Sequence, residues 1–183
     1  MTNAAAELLA GLRQDHRNMA RLLRLLRDET ELIDDDKQPD FALLGEVMRY
    51  MTVYSDAMHH PKEDLIYEGL RALQPSFAEG LEQVEAEHEE IARLGKQLQD
   101  DIEAVIAGTE VETARVVGDA RAYMQRLNQH MAWEEEDLFA RADSEIDRIE
   151  IDTSHLSAID PVFGEKHEGS FANLRNTIEH DAQ

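Results

Sequence analysis

Apolar residues recur three or four positions apart along four long segments of the chain, as they do on one face of an α-helix. The segments cover residues of about 4–32, 41–73, 76–106 and 111–142. Polar stretches that contain proline or glycine, which end helices, separate them, and alternating runs typical of strands do not occur. The pattern therefore predicts an all-α protein, an antiparallel up-down-up-down four-helix bundle with short loops.

The ends of the third helix and the C-terminal part of the chain can also be placed. Ser76 is predicted to be the N-cap of this helix, and Gly108 is predicted to cap its C-terminus. After the fourth helix we expect an irregular arm and a short helix over residues of about 165–178. Because no low-complexity linker intervenes, we expect one domain, with the bundle over 1–145 and the arm with its short helix packed on it over 146–183.

Charge and cysteine content exclude several classes of function. The 40 acidic and 18 basic residues give a net charge of −22, and so acidic a chain repels phosphate backbones and anionic membrane surfaces. The absence of cysteine excludes disulfides, zinc–thiolate sites and iron–sulfur clusters. The N-terminus does not read as a secretion signal, and no apolar run reaches about 18 residues. We therefore expect a cytoplasmic protein, monomeric or homodimeric, without a nucleic-acid or membrane partner.

Each predicted bundle helix carries one histidine in its apolar stripe, and these are His16, His59, His88 and His130. A buried imidazole needs a partner, because an unpaired polar group costs roughly 1–3 kcal/mol. For any single histidine, a satisfied core position is a simpler explanation than metal binding. The set favours metal, because Glu63 and Glu134 each follow a histidine by four residues and so share its helix face.

Two buried carboxylates would be strongly destabilising without a countercharge, and a cation would remove that problem. A salt bridge to a basic residue is the alternative, but Lys62 is predicted to point elsewhere on its helix. The pattern also repeats, since 43 residues separate His16 from His59 and 42 separate His88 from His130. Two packed hairpins would place four imidazoles and two carboxylates at one level. Two metals with shared glutamates suit this set, and ligands without sulfur suit iron or manganese.

The motifs HHPKED at 59–64 and HMAWEE at 130–135, together with His16 and His88, resemble the hemerythrin-like, HHE cation-binding domains of the bacterial four-histidine type. The resemblance covers residues of about 5–142. It implies two iron ions with an oxo or hydroxo bridge, for which manganese or zinc could substitute. His16 and His59 would hold one iron, His88 and His130 would hold the other, and Glu63 and Glu134 would bridge them.

One departure from the oxygen-carrying hemerythrins affects the expected function. Those proteins have two histidines four apart on the third helix, whereas Val84 and Ala92 occupy the corresponding positions around His88. The five-histidine carrier site is therefore not reproduced. Members with four histidines are associated with redox sensing, iron handling, and nitric oxide or peroxide chemistry.

Three functions remain open on this basis. The first is a di-iron protein that binds or reacts with oxygen, peroxide or nitric oxide. The second is a binding module that reports iron or oxygen to a protein partner without turnover, so enzymatic activity is left undecided. The third is a structural bundle with buried histidines, against which the two buried glutamates argue.

Residues around the expected ligands have open roles. His60, turned about 100° from His59, is interpreted as a supporting or surface group rather than a seventh ligand. Pro61 is expected to distort its helix. Tyr67 is either a core residue or a hydrogen-bond partner of a bridging carboxylate. Glu135 is interpreted as solvent-exposed, and surface positions are expected for His155, His167 and His180.

Overall fold

The computed structural model describes residues 3–35, 37–80, 82–156, 160–164 and 169–181, and within these ranges there is no strand. The α-helices are α1 (Ala4–Asp34), α2 (Phe41–Tyr54), α3 (His60–Leu73), α4 (Glu82–Ile106), α5 (Thr113–Trp133), α6 (Phe139–Glu145) and α7 (Ala172–Asp181). Short 3₁₀ turns lie at Pro75–Ala78 and Gly169–Phe171. The all-α prediction is confirmed.

The second and fourth predicted helices each contain a stretch of π-helix. Ser55–His59 joins α2 to α3, and Glu134–Leu138 joins α5 to α6. Single π turns inside α-helices occur frequently at functional sites. Pro61 is the second residue of α3, two positions after the end of the first π turn, so the distortion expected near this residue is present in that form.

The long helices pack as a closed ring of four. We call α1 with α2–α3 the first hairpin and α4 with α5–α6 the second hairpin. The hairpins contact each other through α2 against α4 and through α1 against α5. Within the hairpins, α1 packs on α2 and α4 packs on α5. This arrangement confirms the four-helix bundle.

Two apolar clusters fill the bundle, and the four predicted histidine ligands lie between them. On each long helix the histidine lies between a residue of one cluster and a residue of the other, namely Leu12 and Met19 around His16, Tyr54 and Ile66 around His59, Val84 and Ile91 around His88, and Leu127 and Leu138 around His130. The apolar side chains thus place a belt of polar residues at mid-height and close it off from water on both sides.

The arm packs against the bundle through a buried carboxylate. Glu46 of α2 accepts hydrogen bonds from the Leu174 backbone N–H at 2.8 Å and from Asn173 Nδ2 at 2.9 Å. Phe171 and Leu174 are buried in the core. The C-terminal helix occupies Ala172–Asp181 rather than 165–178, and residues 165–168 lie outside the described ranges.

Of the two predicted ends of the third helix, the C-terminal one is confirmed and the N-terminal one is wrong. Gly108 has a φ of +80° and donates its N–H to Val105, which is the conformation expected of a C-terminal cap. Ser76 is not the N-cap, because it lies in a separate 3₁₀ turn and α4 begins at Glu82. Within the part of the chain that the structure describes, every helix is too short or too polar to span a bilayer.

Candidate metal centre

The structure brings the six predicted ligands together in the middle of the bundle. His59 Nε2 lies 2.9 Å from Glu63 Oε1, and His130 Nε2 lies 3.3 Å from Glu134 Oε1. On the second hairpin, His88 Nε2 and His130 Nε2 approach within 2.9 Å of each other. On the first hairpin, the rings of His16 and His59 are 5.1 Å apart.

Each glutamate divides its two oxygens between the hairpins. Glu63 Oε1 lies 2.9 Å from His59 Nε2 and 4.0 Å from His16 Nε2, whereas its Oε2 lies 3.5 Å from His88 Nε2. Glu134 Oε2 lies 3.3 Å from His16 Nε2, and its Oε1 lies 3.3 Å from His130 Nε2. This is the disposition that two carboxylates have when each bridges two cations.

The donor atoms also fall into groups that a metal ion could join. One group is His16, His59, Glu63 and Glu134, and the atoms offered lie within 4.8 Å of one another. A second position is outlined by two overlapping groups, which are His88 with His130 and Glu134, and His88 with His60 and Glu63. Both positions share the two glutamates.

The buried polar atoms of this cluster are not satisfied by the protein. Glu63 and Glu134 are both 0% exposed. Neither oxygen of Glu63, nor Glu134 Oε2, nor His16 Nε2 has a hydrogen-bond partner among the described residues. Unsatisfied buried carboxylate oxygens are costly, and a cation bound between them would remove the cost. The residues present therefore fit a metal centre.

Burial and neighbouring side chains shift the pKa values of the cluster in both directions. Burial raises the pKa of Glu63 to about 7, although the nearby His59 ring opposes this. Burial disfavours a charged His59, but Glu63 and Asp15 outweigh it and raise the pKa of the ring to about 10. Burial and the neighbouring His130 lower the pKa of His88 to about 4. At neutral pH the His59 ring therefore keeps its proton, whereas the His88 ring does not.

A carboxylate outside the six orients His59. Asp15 Oδ2 lies 3.3 Å from His59 Nδ1, so Nδ1–H can donate to it and leave Nε2 facing the cluster. Lys62 Nζ donates to the same oxygen at 2.7 Å, and the hydroxyl of Tyr54 donates to Oδ1 at 3.1 Å. Burial opposes ionisation, but the bonds from His59 and Lys62 lower the pKa of Asp15.

The second hairpin repeats this arrangement with other residues. Glu87 Oε2 lies 3.0 Å from His130 Nδ1, and Arg126 pairs with Glu87 at 3.3 Å. A third carboxylate, Glu135, lies 3.0 Å from His16 Nδ1 and also pairs with Arg13 at 3.3 Å. Three of the four histidines are therefore held at Nδ1 by a carboxylate.

Two sequence interpretations are wrong at this point. Glu135 is not only a solvent-exposed residue: 37% of its side chain is exposed, but its carboxylate contacts His16, a predicted ligand. Lys62 does not point away from the site, since it pairs with the carboxylate behind His59. It nevertheless does not neutralise the two central glutamates. The available signal was that an acid directly precedes the lone histidine of each hairpin, as Asp15 and Glu87 do.

Tyr67 adopts the second of its two predicted roles. Its hydroxyl donates to Glu134 Oε1 at 2.9 Å, across the hairpin boundary. Burial, followed by the two central carboxylates, raises the pKa of Tyr67, so it remains a donor. Burial opposes the ionisation of Glu134, but the adjacent His130 and His16 rings outweigh it and keep the pKa of this carboxyl well below its usual value.

His60 belongs to the surroundings of the cluster, whereas the described histidines of the C-terminal arm lie on the surface. The His60 ring stacks on His88, with centroids 3.7 Å apart and planes 12° apart, so it is not a surface group. Burial and the neighbouring histidines lower the pKa of His60 to about 2. His155 and His180 are exposed, as predicted. His167 lies outside the described residues.

The comparison with protein families agrees with this geometry. The model of the hemerythrin HHE cation-binding domain matches residues 7–142, which span nearly the whole bundle and include all six predicted ligands. Searches of curated proteins and of solved structures gave no significant match. The chain therefore belongs to the hemerythrin HHE cation-binding domain family.

Proposed function

We propose that this hemerythrin-family chain is a non-haem di-iron protein that binds or reacts with oxygen, hydrogen peroxide or nitric oxide. Its role would be sensing, defence against oxidative or nitrosative stress, or iron handling. The observation that carries the proposal is the division of each buried glutamate between the two histidine pairs. A single cation would need only one oxygen from each carboxylate, whereas Glu63 and Glu134 present both.

The donor set supports iron as the metal. Imidazole nitrogen and carboxylate oxygen, without sulfur, suit iron, and paired histidine–carboxylate motifs on facing bundle helices are typical of di-iron proteins. Manganese or zinc could occupy the same ligands. The six side chains do not fill two octahedral coordination spheres, so positions would remain for a small ligand.

The side chains of this protein would prepare the centre in three ways. Asp15, Glu87 and Glu135 hold the ligand rings at Nδ1, which keeps Nε2 directed inward. Tyr67 fixes one bridging carboxylate. Phe139 stacks on His16 at 5.1 Å and helps to exclude water. Bound iron would supply Lewis acidity and a change of oxidation state.

The test is to load the metal-free protein anaerobically with Fe(II) and expose it separately to each of the three oxidants. We expect about two irons per chain and charge-transfer bands with at least one oxidant. The exposed His155→Ala variant should behave as the wild type, whereas His88→Ala should lose one iron selectively. Absence of bound iron, or no spectral change with any oxidant, would overturn the proposal.

A second candidate is a metal-responsive binding module without turnover. It is supported by the unsatisfied oxygens of Glu63 and Glu134 in the core, because filling them would couple metal occupancy to the stability of the bundle. In that case, iron would raise the thermal unfolding temperature, but catalytic consumption of peroxide or nitric oxide would not be measurable. Consumption of peroxide or nitric oxide by the iron-loaded protein, followed with an electrode, distinguishes the two functions.

A further inference from the structure

The second cation position has a histidine close to it that the six-ligand set leaves out. One donor atom of His60 lies within 4.8 Å of those offered by Glu63 and His88. Two ligands of one metal ion, each about 2.1 Å away from it, cannot be more than about 4.2 Å apart. The group is thus near the size that a common cation needs, and it would be completed if the His60 ring turned out of its stack on His88, where the two planes are now 12° apart.

The backbone explains how His60 reaches the cluster. In a regular α-helix, neighbouring residues are about 100° apart, so His59 and His60 would point in different directions. The π turn Ser55–His59 directly precedes His60 and contains more residues per turn, which reduces that angle. The ring of His60 then lies 6.0 Å from that of His59 and stacks on His88.

The second hairpin has no corresponding residue. Met131, which follows His130 as His60 follows His59, is 7% exposed and belongs to the apolar core. The extra histidine is therefore a feature of one side only. It lies beside the hairpin whose lone histidine, His88, is the more exposed, at 15% of its side chain against 6% for His16.

We propose that His60 is a metal ligand, the third histidine of the cation held by His88 and His130. The centre then has five histidines in an unequal division, two at the first position and three at the second. This inference rests on the two-cation centre of the proposed function and assigns one more residue to it.

The test counts bound histidines with Co(II), which separates ligation from the chemistry of oxidants. The metal-free full-length chain is loaded with Co(II), and exchangeable imidazole N–H protons shifted by the metal are counted by ¹H NMR. We expect five such signals in the wild type and in His155→Ala, and four in His60→Ala. In a Co(II) titration, His60→Ala should weaken one site by more than about 100-fold, beyond the range of an orienting group, and leave the other unchanged.

A rescue experiment guards against a folding defect in the variant. Imidazole added to His60→Ala should restore the affinity of the weakened site, and far-UV circular dichroism should match the wild type. Four signals in the wild type, unchanged in His60→Ala, would overturn the ligand assignment while leaving the two-cation centre intact. A wild-type chain that binds no Co(II) and no Fe(II) would instead overturn the proposed function and this inference with it.

Discussion

The two hairpins of the bundle share one arrangement of histidine and carboxylate, but they bury it to different extents. In each, an acid precedes the lone histidine and contacts Nδ1 of the histidine on the other helix. On the first hairpin the acid is Asp15, whose side chain is 8% exposed and pairs with Lys62. On the second it is Glu87, which is 26% exposed and pairs with Arg126.

This difference shows that similar motifs can give unequal sites. A buried ion pair depends on both partners, because loss of one leaves an uncompensated charge away from water. An exposed pair is screened and contributes little. We therefore expect Asp15 to hold His59 of the first hairpin rigidly, and Glu87 to hold His130 of the second hairpin more loosely.

The two buried glutamates of the cluster differ in the same manner. Glu134 accepts a hydrogen bond from Tyr67, four residues after Glu63. The residue four after Glu134 is Leu138, which cannot return such a bond to Glu63. Glu63 therefore lies in the core with neither oxygen hydrogen-bonded by the described residues, and its pKa rises to about 7. Glu63 is the less satisfied of the two buried glutamates.

The largest expected effect comes from removing one of the two glutamates that contact both hairpins. Glu63→Ala and Glu134→Ala should each lose at least one cation, because each substitution removes a carboxylate that presents one oxygen to each pair of histidines. Metal content after loading and desalting measures this, with the exposed Glu136→Ala as the matched control. Two metals retained in both variants would contradict the bridging assignment.

The next largest effect is a difference in stability between variants of the two hairpins. Asp15→Asn should lower the free energy of unfolding by roughly 3 kcal/mol, because it leaves Lys62 partly buried and unpaired. Glu87→Gln should cost about 1 kcal/mol or less, since its ion pair is more exposed. Both should weaken metal binding, by roughly 10- to 100-fold. Urea unfolding of the metal-free proteins checks the ranking, and equal costs would show that burial does not distinguish the two pairs.

Most of the fold and the six candidate ligands could be predicted from the sequence, because both depend on residue spacings that are characteristic of helices. Apolar spacing predicted the four helices, and a histidine followed by a glutamate after four residues placed both on one face. The repeat of that pair at Glu63 and Glu134 then predicted a shared interior.

The orienting groups and the π turns were not predictable in the same way. The position of Lys62 on its helix suggested that it faced away, but a long side chain can reach around the helix surface to Asp15. A π turn at Ser55–His59 changes the direction of His60 without any change in the apolar pattern. Glu135 resembled a surface acid because three further acids flank it.

The pH dependence should distinguish metal-free from metal-loaded protein. The pKa of His59 is raised from 6.5 to about 10, so its contribution to stability is full below pH 6.5 and is lost as pH rises through 10. The metal-free protein should therefore lose up to about 1.4 kcal/mol per pH unit in this window from this residue. The loaded protein should not, because the metal replaces that proton. Urea unfolding from pH 7 to 9 measures the slope, which His59→Gln should flatten; stability that rises with pH in the metal-free wild type would contradict this assignment.

The smallest effect concerns the hydrogen bond that Tyr67 donates to Glu134. Tyr67→Phe should destabilise the metal-free protein by about 1 kcal/mol, because Glu134 loses a donor at 2.9 Å. Tyr50→Phe is the matched control, since that buried hydroxyl donates to Asp160 of the arm at 3.0 Å, outside the cluster. Both variants should lose similar stability, but only Tyr67→Phe should speed the release of bound metal to a chelator. If release is unchanged, the hydrogen bond to Glu134 does not distinguish it from Glu63, and the difference between the hairpins lies in their ion pairs alone.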